Sequence, residues 1–264
     1  MSADRLQTQR FEVKYLVSES TAQLVRDYVR SYLQPDEFAA NLPDNSYPVH
    51  SLYLDSADLA TYQAVQLDHK NRFKLRIRYY QDDSEVVFFE IKRRTTETIS
   101  KQRARVRRAA VGALLGGRLP GDPDLAAPDA KQRVALEEFC RLVRALDAQP
   151  KSHVAYRREA WMSPVGNSIR ITFDRDVRCE AMPRAELTTR FRHAVVPFGS
   201  KVVVEMKFTD RLPEWCRDLA RAFGLVRRGA PKYAAGVTLI GEDRLAPPGT
   251  TVTPPARRSR GSTS

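Results

Sequence analysis

The 264-residue chain carries 42% hydrophobic and 29% charged residues, enough to bury a sizeable core, and it has no run of about 18 apolar residues to cross a membrane. Cys140, Cys179 and Cys216 and the histidines His50, His69, His153 and His193 are scattered, which argues against a disulfide framework, a His/Cys metal centre and a Cys-His nucleophile pair. The formal net charge of +12 calls for an anionic partner.

The start, Met-Ser-Ala-Asp-Arg, lacks an apolar h-region, so no signal peptide and a cytoplasmic location are expected. Residues 1–245 read as one domain. Residues 246–264, rich in Pro, Ser and Gly and holding Arg257, Arg258 and Arg260, read as a disordered basic tail.

Taken in chain order, Arg10-Phe11-Glu12-Val13-Lys14-Tyr15 alternates as a strand, with Arg10, Glu12 and Lys14 on one face. Ser20, with Gln23 three residues on, predicts a helix start, and Leu24, Val25, Tyr28, Val29, Tyr32 and Leu33 form its apolar stripe up to Pro35. His50 to Asp55 is a short strand with Tyr53 and Asp55 on its polar face. Asp55 or Ser56 is placed to cap a short helix running to Gln66.

Residues 72–80 give the strongest signal. Arg72, Lys74, Arg76 and Arg78 fall on one strand face, and Phe73, Leu75, Ile77 and Tyr79 on the other. A turn at Gln81–Ser84 leads into a returning strand, Glu85 to Arg93, with Phe88, Glu90 and Lys92 on one face. A further strand places Lys101, Arg103, Arg105 and Arg107 together. A helix from Ala130 to Leu146 is expected to pack Val134, Leu136, Phe139, Leu142, Val143 and Leu146 inward. Three more strands follow: Val154–Met162 with Tyr156 and Arg158 on one face, Ser168–Asp174 with Arg170, Thr172 and Asp174, and Lys201–Phe208 with Val203, Glu205 and Lys207. Pro213 opens a helix that ends near Gly224, and Pro231-Lys232-Tyr233 closes the ordered part.

A sheet with one face to water would use Ser, Thr, Gln and Asn freely. These faces instead mix many cations with isolated Glu12, Glu90 and Glu205. An antiparallel β-barrel with helices packed outside, an α+β fold, would turn them into a lumen. Such a lumen suits a chain of phosphates, each charge-assisted hydrogen bond contributing roughly 1.5–3 kcal/mol. It also suits Mg²⁺ or Mn²⁺ held on carboxylate and phosphate oxygens.

These residues carry a resemblance. Arg10–Tyr15, Ser51–Asp55, Lys74–Arg78, Phe89–Lys92, Ser100-Lys101, Tyr156–Trp161, Arg170–Asp174, Val204–Lys207 and Pro231–Tyr233 occur in the order found in the VTC domain of polyphosphate polymerases. That family lies within the CYTH-like triphosphate tunnel metalloenzymes. The resemblance implies that Lys14, Arg76, Arg78, Lys92, Lys101, Arg158, Arg170 and Lys232 line a tunnel and grip the triphosphate. Tyr156, Lys74 and Lys207 would add substrate contacts, and Glu205 would hold Mn²⁺ or Mg²⁺, with Glu12 and Glu90 as further candidates; Glu90 also reads as an ion-pair partner of the basic row. Pro231 replaces the serine of a family Ser-Lys-Tyr-like segment, and Arg10 stands where tunnel hydrolases carry the first Glu of Glu-x-Glu-x-Lys.

The implied activity moves the terminal phosphoryl group of ATP onto inorganic polyphosphate. The alternatives are a metal-dependent triphosphatase or polyphosphatase, and a non-catalytic polyphosphate-binding module. A nucleic-acid partner is not expected, because such surfaces interleave exposed aromatics with cations and the aromatics here are read as facing the core. Membrane insertion is not expected either.

Overall fold

The computed structural model describes residues 10–40, 42–96, 98–164, 168–209 and 211–246. The basic tail beyond Ala246 and the Arg10 side chain lie outside the described residues.

The chain runs β1 (Arg10–Val17), α1 (Glu19–Val29), β2 (Gln34–Pro35), β3 (Ser46–Asp55), α2 (Ala60–Gln66), β4 (Asn71–Tyr79), β5 (Val86–Thr95) and β6 (Thr98–Arg107). It continues through α3 (Val111–Leu115), α4 (Ala130–Ala145), β7 (Gln149–Met162), β8 (Ile169–Ala181), β9 (Val202–Thr209), α5 (Glu214–Ala222) and α6 (Lys232–Ile240). The strands build one antiparallel sheet in the order β1-β9-β8-β7-β3-β4-β5-β6, with β2 added beside β7.

The period-2 pattern sets the register. Pairing Arg76 with Glu90 and Glu90 with Arg103 puts opposite charges side by side on one face and leaves Leu75, Ile77, Phe89 and Ile91 on the other. Outside the curve, the apolar faces of β3 to β6 pack on α3 and α4 through Leu52, Ile77, Phe89, Val106, Leu136 and Phe139. The apolar faces of β1, β8 and β9 pack on α1 and α5 through Tyr15, Ile171, Val204, Val25 and Leu219. Burying a Leu, Ile or Phe side chain contributes about 1.5–3 kcal/mol, so these two layers fix which face turns inward.

The α+β fold and its large antiparallel sheet are as expected, but the sheet is not closed into the expected barrel. It ends at β1 and β6, with no ladder between them among the described residues. A physical reason lies in β6, where Lys101, Arg103, Arg105 and Arg107 are exposed along an edge that resists further pairing. The sheet is nevertheless strongly curled. Lys92 of β5 reaches Glu12 of β1 at 3.0 Å, although these strands stand near opposite ends of the sheet order.

The helices depart from expectation in places. Ser18, not Ser20, caps α1, accepting from the Thr21 N–H at 3.1 Å. The buried face of α1 is Ala22, Val25 and Val29, leaving Leu24 exposed, and Val134 of α4 is exposed too. Helix α6 begins where the sequence reading stops. It crosses one end of the concave face, packing Tyr233, Ala234 and Val237 against Val49, Tyr53, Val154 and Val203. Gly236 permits this approach: a Cβ there would lie 2.6 Å from the Cys179 Sγ on β8. Among the described residues no helix is long and apolar enough to cross a membrane.

Candidate functional site

The concave face gathers the charged strand positions into three linked groups. The first joins β1, β9 and β5. Lys14 lies 2.8 Å from Glu12 and 3.3 Å from Glu205, Lys92 lies 3.0 Å from Glu12, and Lys207 lies 2.5 Å from Glu205. Burial opposes the charge on Lys14, yet Glu205 and Glu12 hold its pKa above the ordinary lysine value. Glu12 pays for burial and for the neighbouring Glu205, but Lys92 and Lys14 bring it down to about 2.

The second group centres on Glu90, which is 1% exposed. Arg76 (2.6 Å), Lys101 (2.6 Å), Arg103 (3.2 Å) and Arg78 (4.0 Å) converge on its two oxygens. Arg76 also donates to the Tyr53 hydroxyl at 3.1 Å. These cations hold Glu90 well below the usual carboxylate range in spite of its burial.

The third group centres on Asp174. Arg158 donates to it through Nε and Nη2 at 2.7 and 2.8 Å, and Lys232, from the first turn of α6, lies 2.7 Å away. The Tyr156 ring lies between these cations, 5.1 Å from the Arg158 guanidinium and 4.8 Å from Lys232 Nζ. Arg78 donates to the Tyr156 hydroxyl at 3.0 Å and so joins the second group to the third. Burial would raise the Tyr156 pKa, but Arg158, Arg78 and Lys232 bring it below the ordinary phenol value.

Two candidate residues stand differently. Arg170 pairs with Asp36 at 2.5 Å and donates to the Tyr47 hydroxyl at 3.3 Å, so the segment after β2 holds it. Lys74 has no hydrogen bond or ion pair among the described residues. Burial, then Lys14, Lys92, Arg72 and Arg76, push its pKa down to about 7. Partial enclosure by the curled sheet lowers Lys101 to about 7 and Lys92 to about 8, although both side chains still reach solvent.

The concave face also holds buried polar atoms that no protein group satisfies among the described residues: Arg78 Nε, Ser51 Oγ and Thr172 Oγ1. Ser51 pairs with Arg78 across β3 and β4, and Thr172 pairs with Glu205 across β8 and β9. A buried donor left unmade costs about 1–3 kcal/mol, more for a charged group.

Asp174, Thr172, Ser51 and Asp36 were not among the candidates from sequence. Asp174 and Thr172 carried a signal, since they alternate in phase with Arg170. Asp36 carried none, because it lies in a loop. Asp55, by contrast, works as a cap. Its carboxylate accepts the Thr61 and Tyr62 N–H groups at 2.9 and 3.0 Å and the Tyr233 hydroxyl at 2.8 Å, tying β3 to α2 and α6.

The sequence matches the VTC domain over residues 9–240, and the chain belongs to that family. No curated protein sequence matches it. Among solved structures it is similar to a Hippeastrum protein described as an adenylyl cyclase with a dominant triphosphatase activity. Identity there is 15%, the TM-score 0.49, and the match covers 87% of this chain and 95% of that one. A Pyrococcus horikoshii protein matches at 12% identity and TM-score 0.43, over 87% and 98% of the two chains. The Mimivirus capping-enzyme triphosphatase matches at 10% identity and TM-score 0.34, over 82% and 89%.

Proposed function

We propose that the chain is a polyphosphate polymerase-like phosphotransferase, moving the terminal phosphoryl group of ATP to the end of an inorganic polyphosphate chain along the concave face. The observation that carries this reading is the set of inward-facing donors with no hydrogen-bond acceptor among the described residues: Lys74, Arg78 Nε (4.0 Å from Glu90), Ser51 Oγ and Thr172 Oγ1. Linked phosphates offer oxygen acceptors at short repeat along the same path. VTC-domain membership supports the same substrate class.

The residues divide the work. Arg76, Arg78, Lys101, Arg158 and Lys232 neutralise donor and acceptor chains whose mutual repulsion otherwise opposes an in-line approach. Glu90 and Asp174 fix their guanidinium and ammonium groups in place, so little reorganisation is needed at the reacting phosphorus. No general base is required, because the accepting phosphate oxygen is already anionic.

Glu12 and Glu205 would hold a divalent cation by exchanging it for ammonium groups: Lys14 and Lys92 lie on Glu12, Lys14 and Lys207 on Glu205, and the Thr172 hydroxyl, with no hydrogen bond among the described residues, pairs in register with Glu205. Among the described residues no group of three or more His, Cys, Asp or Glu side chains could hold a metal ion, so phosphate oxygens would complete the shell. Bound there, Mn²⁺ or Mg²⁺ would supply charge neutralisation on the donor oxygens. Glu90 is left out of this set, since it holds four cations against two on each of Glu12 and Glu205.

Incubating the purified protein with γ-labelled ATP and Mn²⁺ or Mg²⁺, then resolving the products on a gel, tests the reading. Long labelled chains are expected. Label released only as free phosphate would make the protein a triphosphatase instead, and affinity for polyphosphate without turnover would make it a binding module.

A further inference from the structure

The concave face is not charged throughout. Tyr47, Tyr80 and Phe88 stand on the same side of β3, of the chain just past β4 and of β5 as the cations, and all three are half-buried. Their rings form a continuous ledge. Tyr47 and Tyr80 meet edge-to-face with centroids 6.2 Å apart, and Tyr80 and Phe88 at 5.9 Å. The Arg103 guanidinium lies over Phe88 at 3.6 Å.

This ledge differs from the other aromatics of the concave face. Tyr53 is buried against Tyr233 and Tyr156 between Arg158 and Lys232, so helix α6 or its neighbours already cover them. Tyr47 lies at the other end of β3 from Asp55, which α6 holds through Tyr233. The ledge therefore lies at the border of the cluster that α6 caps, where Tyr47 and Tyr80 pack against it yet stay half-exposed. It also abuts the phosphate-directed cations: Phe88 pairs with Arg78 across β4 and β5, and Tyr47 with Arg158 across β3 and β7.

Half-exposed rings beside a row of arginines are what a molecule with a flat aromatic end and a polyanionic tail requires. We propose that Tyr47, Tyr80 and Phe88, with Arg103 stacked on Phe88, form a stacking subsite for the base of a nucleoside triphosphate whose phosphates run inward along Arg78 and Arg158. The proposal rests on the phosphate-binding reading above and adds the recognition of the nucleoside end. Stacking on a ring face tolerates any base, so this site favours nucleotides over inorganic polyphosphate without choosing strongly among bases.

The test is calorimetric titration of ATP and, separately, of inorganic tripolyphosphate into the wild-type protein and into Phe88→Leu, Tyr80→Leu and Phe88→Trp, each checked for folding by circular dichroism. The Leu variants are expected to bind ATP about tenfold more weakly. Their tripolyphosphate affinity should change little, and Phe88→Trp should keep the wild-type preference for ATP. Equal weakening of both ligands, or wild-type ATP affinity in both Leu variants, overturns the subsite. Wild-type protein that binds ATP but not tripolyphosphate sinks the phosphate reading instead and leaves the Leu variants' ATP affinity to decide the ledge. Failure to bind either ligand overturns both.

Discussion

Asp174 and Arg158 face each other across β7 and β8 in a two-pronged contact of 2.7 and 2.8 Å, and the same carboxylate holds Lys232 from α6 at 2.7 Å. One fully buried acid thus sets the position of two cations from different parts of the chain. Its pKa is brought down to about 2, against the cost of burial, by Arg158 and Lys232.

Removing that acid leaves two buried cations uncompensated. Asp174→Ala is expected to cost about 3–5 kcal/mol of stability, measured by urea unfolding. Saturating tripolyphosphate should recover part of the loss, because its oxygens can take over the freed donors. A variant as stable as wild type would mean that Asp174 does not organise this corner.

Gly236 is a second lever. A side chain there drives α6 away from Cys179 and carries Lys232 and Tyr233 with it. Gly236→Ala is expected to lower stability by about 1–3 kcal/mol and to weaken polyanion binding beyond what unfolding explains. Thermal unfolding alongside calorimetry checks both effects, and binding left intact would detach α6 from the site.

Glu205 and Glu90 are expected to behave differently. Glu205→Gln should abolish metal-dependent turnover of ATP while the protein stays folded. Glu90→Gln should chiefly destabilise, since Arg76, Arg78, Lys101 and Arg103 then lose their shared counter-ion. Metal titrations of turnover, paired with unfolding curves, separate the two. Full activity in Glu205→Gln would remove it from the proposed metal set.

Much of this site was legible in the sequence because a strand exposes its period directly. Arg72 to Tyr79 could adopt only one phase with its apolar side inward to the helices, and the structure keeps that phase. The family was legible for the same reason, its short stretches being the charged strand faces in order. What the sequence hid was longer in range. Lys232 is expected in the tunnel only through the resemblance, and its partner Asp174 emerges only from the packing of α6. The ledge was also missed: Phe88 was placed beside Glu90, yet without the curl of the sheet nothing set Tyr47, Tyr80 and Phe88 side by side. Whether the sheet closes was not legible either, since closure depends on how the cationic edge β6 meets β1.

The depressed lysines make a pH prediction. Lys74 and Lys101 at about 7 and Lys92 at about 8 lie below the ordinary lysine value of 10.5, so between about 7 and 10 the unfolded chain binds more protons than the native one. Stability of the ligand-free protein should therefore rise with pH through that window. Polyanion affinity should fall over the same range as the cations discharge. Thermal unfolding and tripolyphosphate titrations at pH 6.5 and 9 check the two opposite slopes, and parallel slopes would contradict them.

The most direct measurement is calorimetric titration of tripolyphosphate into wild-type protein and into Arg78→Ala, whose Nε has no acceptor in the protein among the described residues. The account predicts one-site binding that weakens by at least about tenfold in the variant, with the fold retained. Undiminished affinity in Arg78→Ala would place polyanion binding on the outer basic surface and contradict a phosphate site on the concave face.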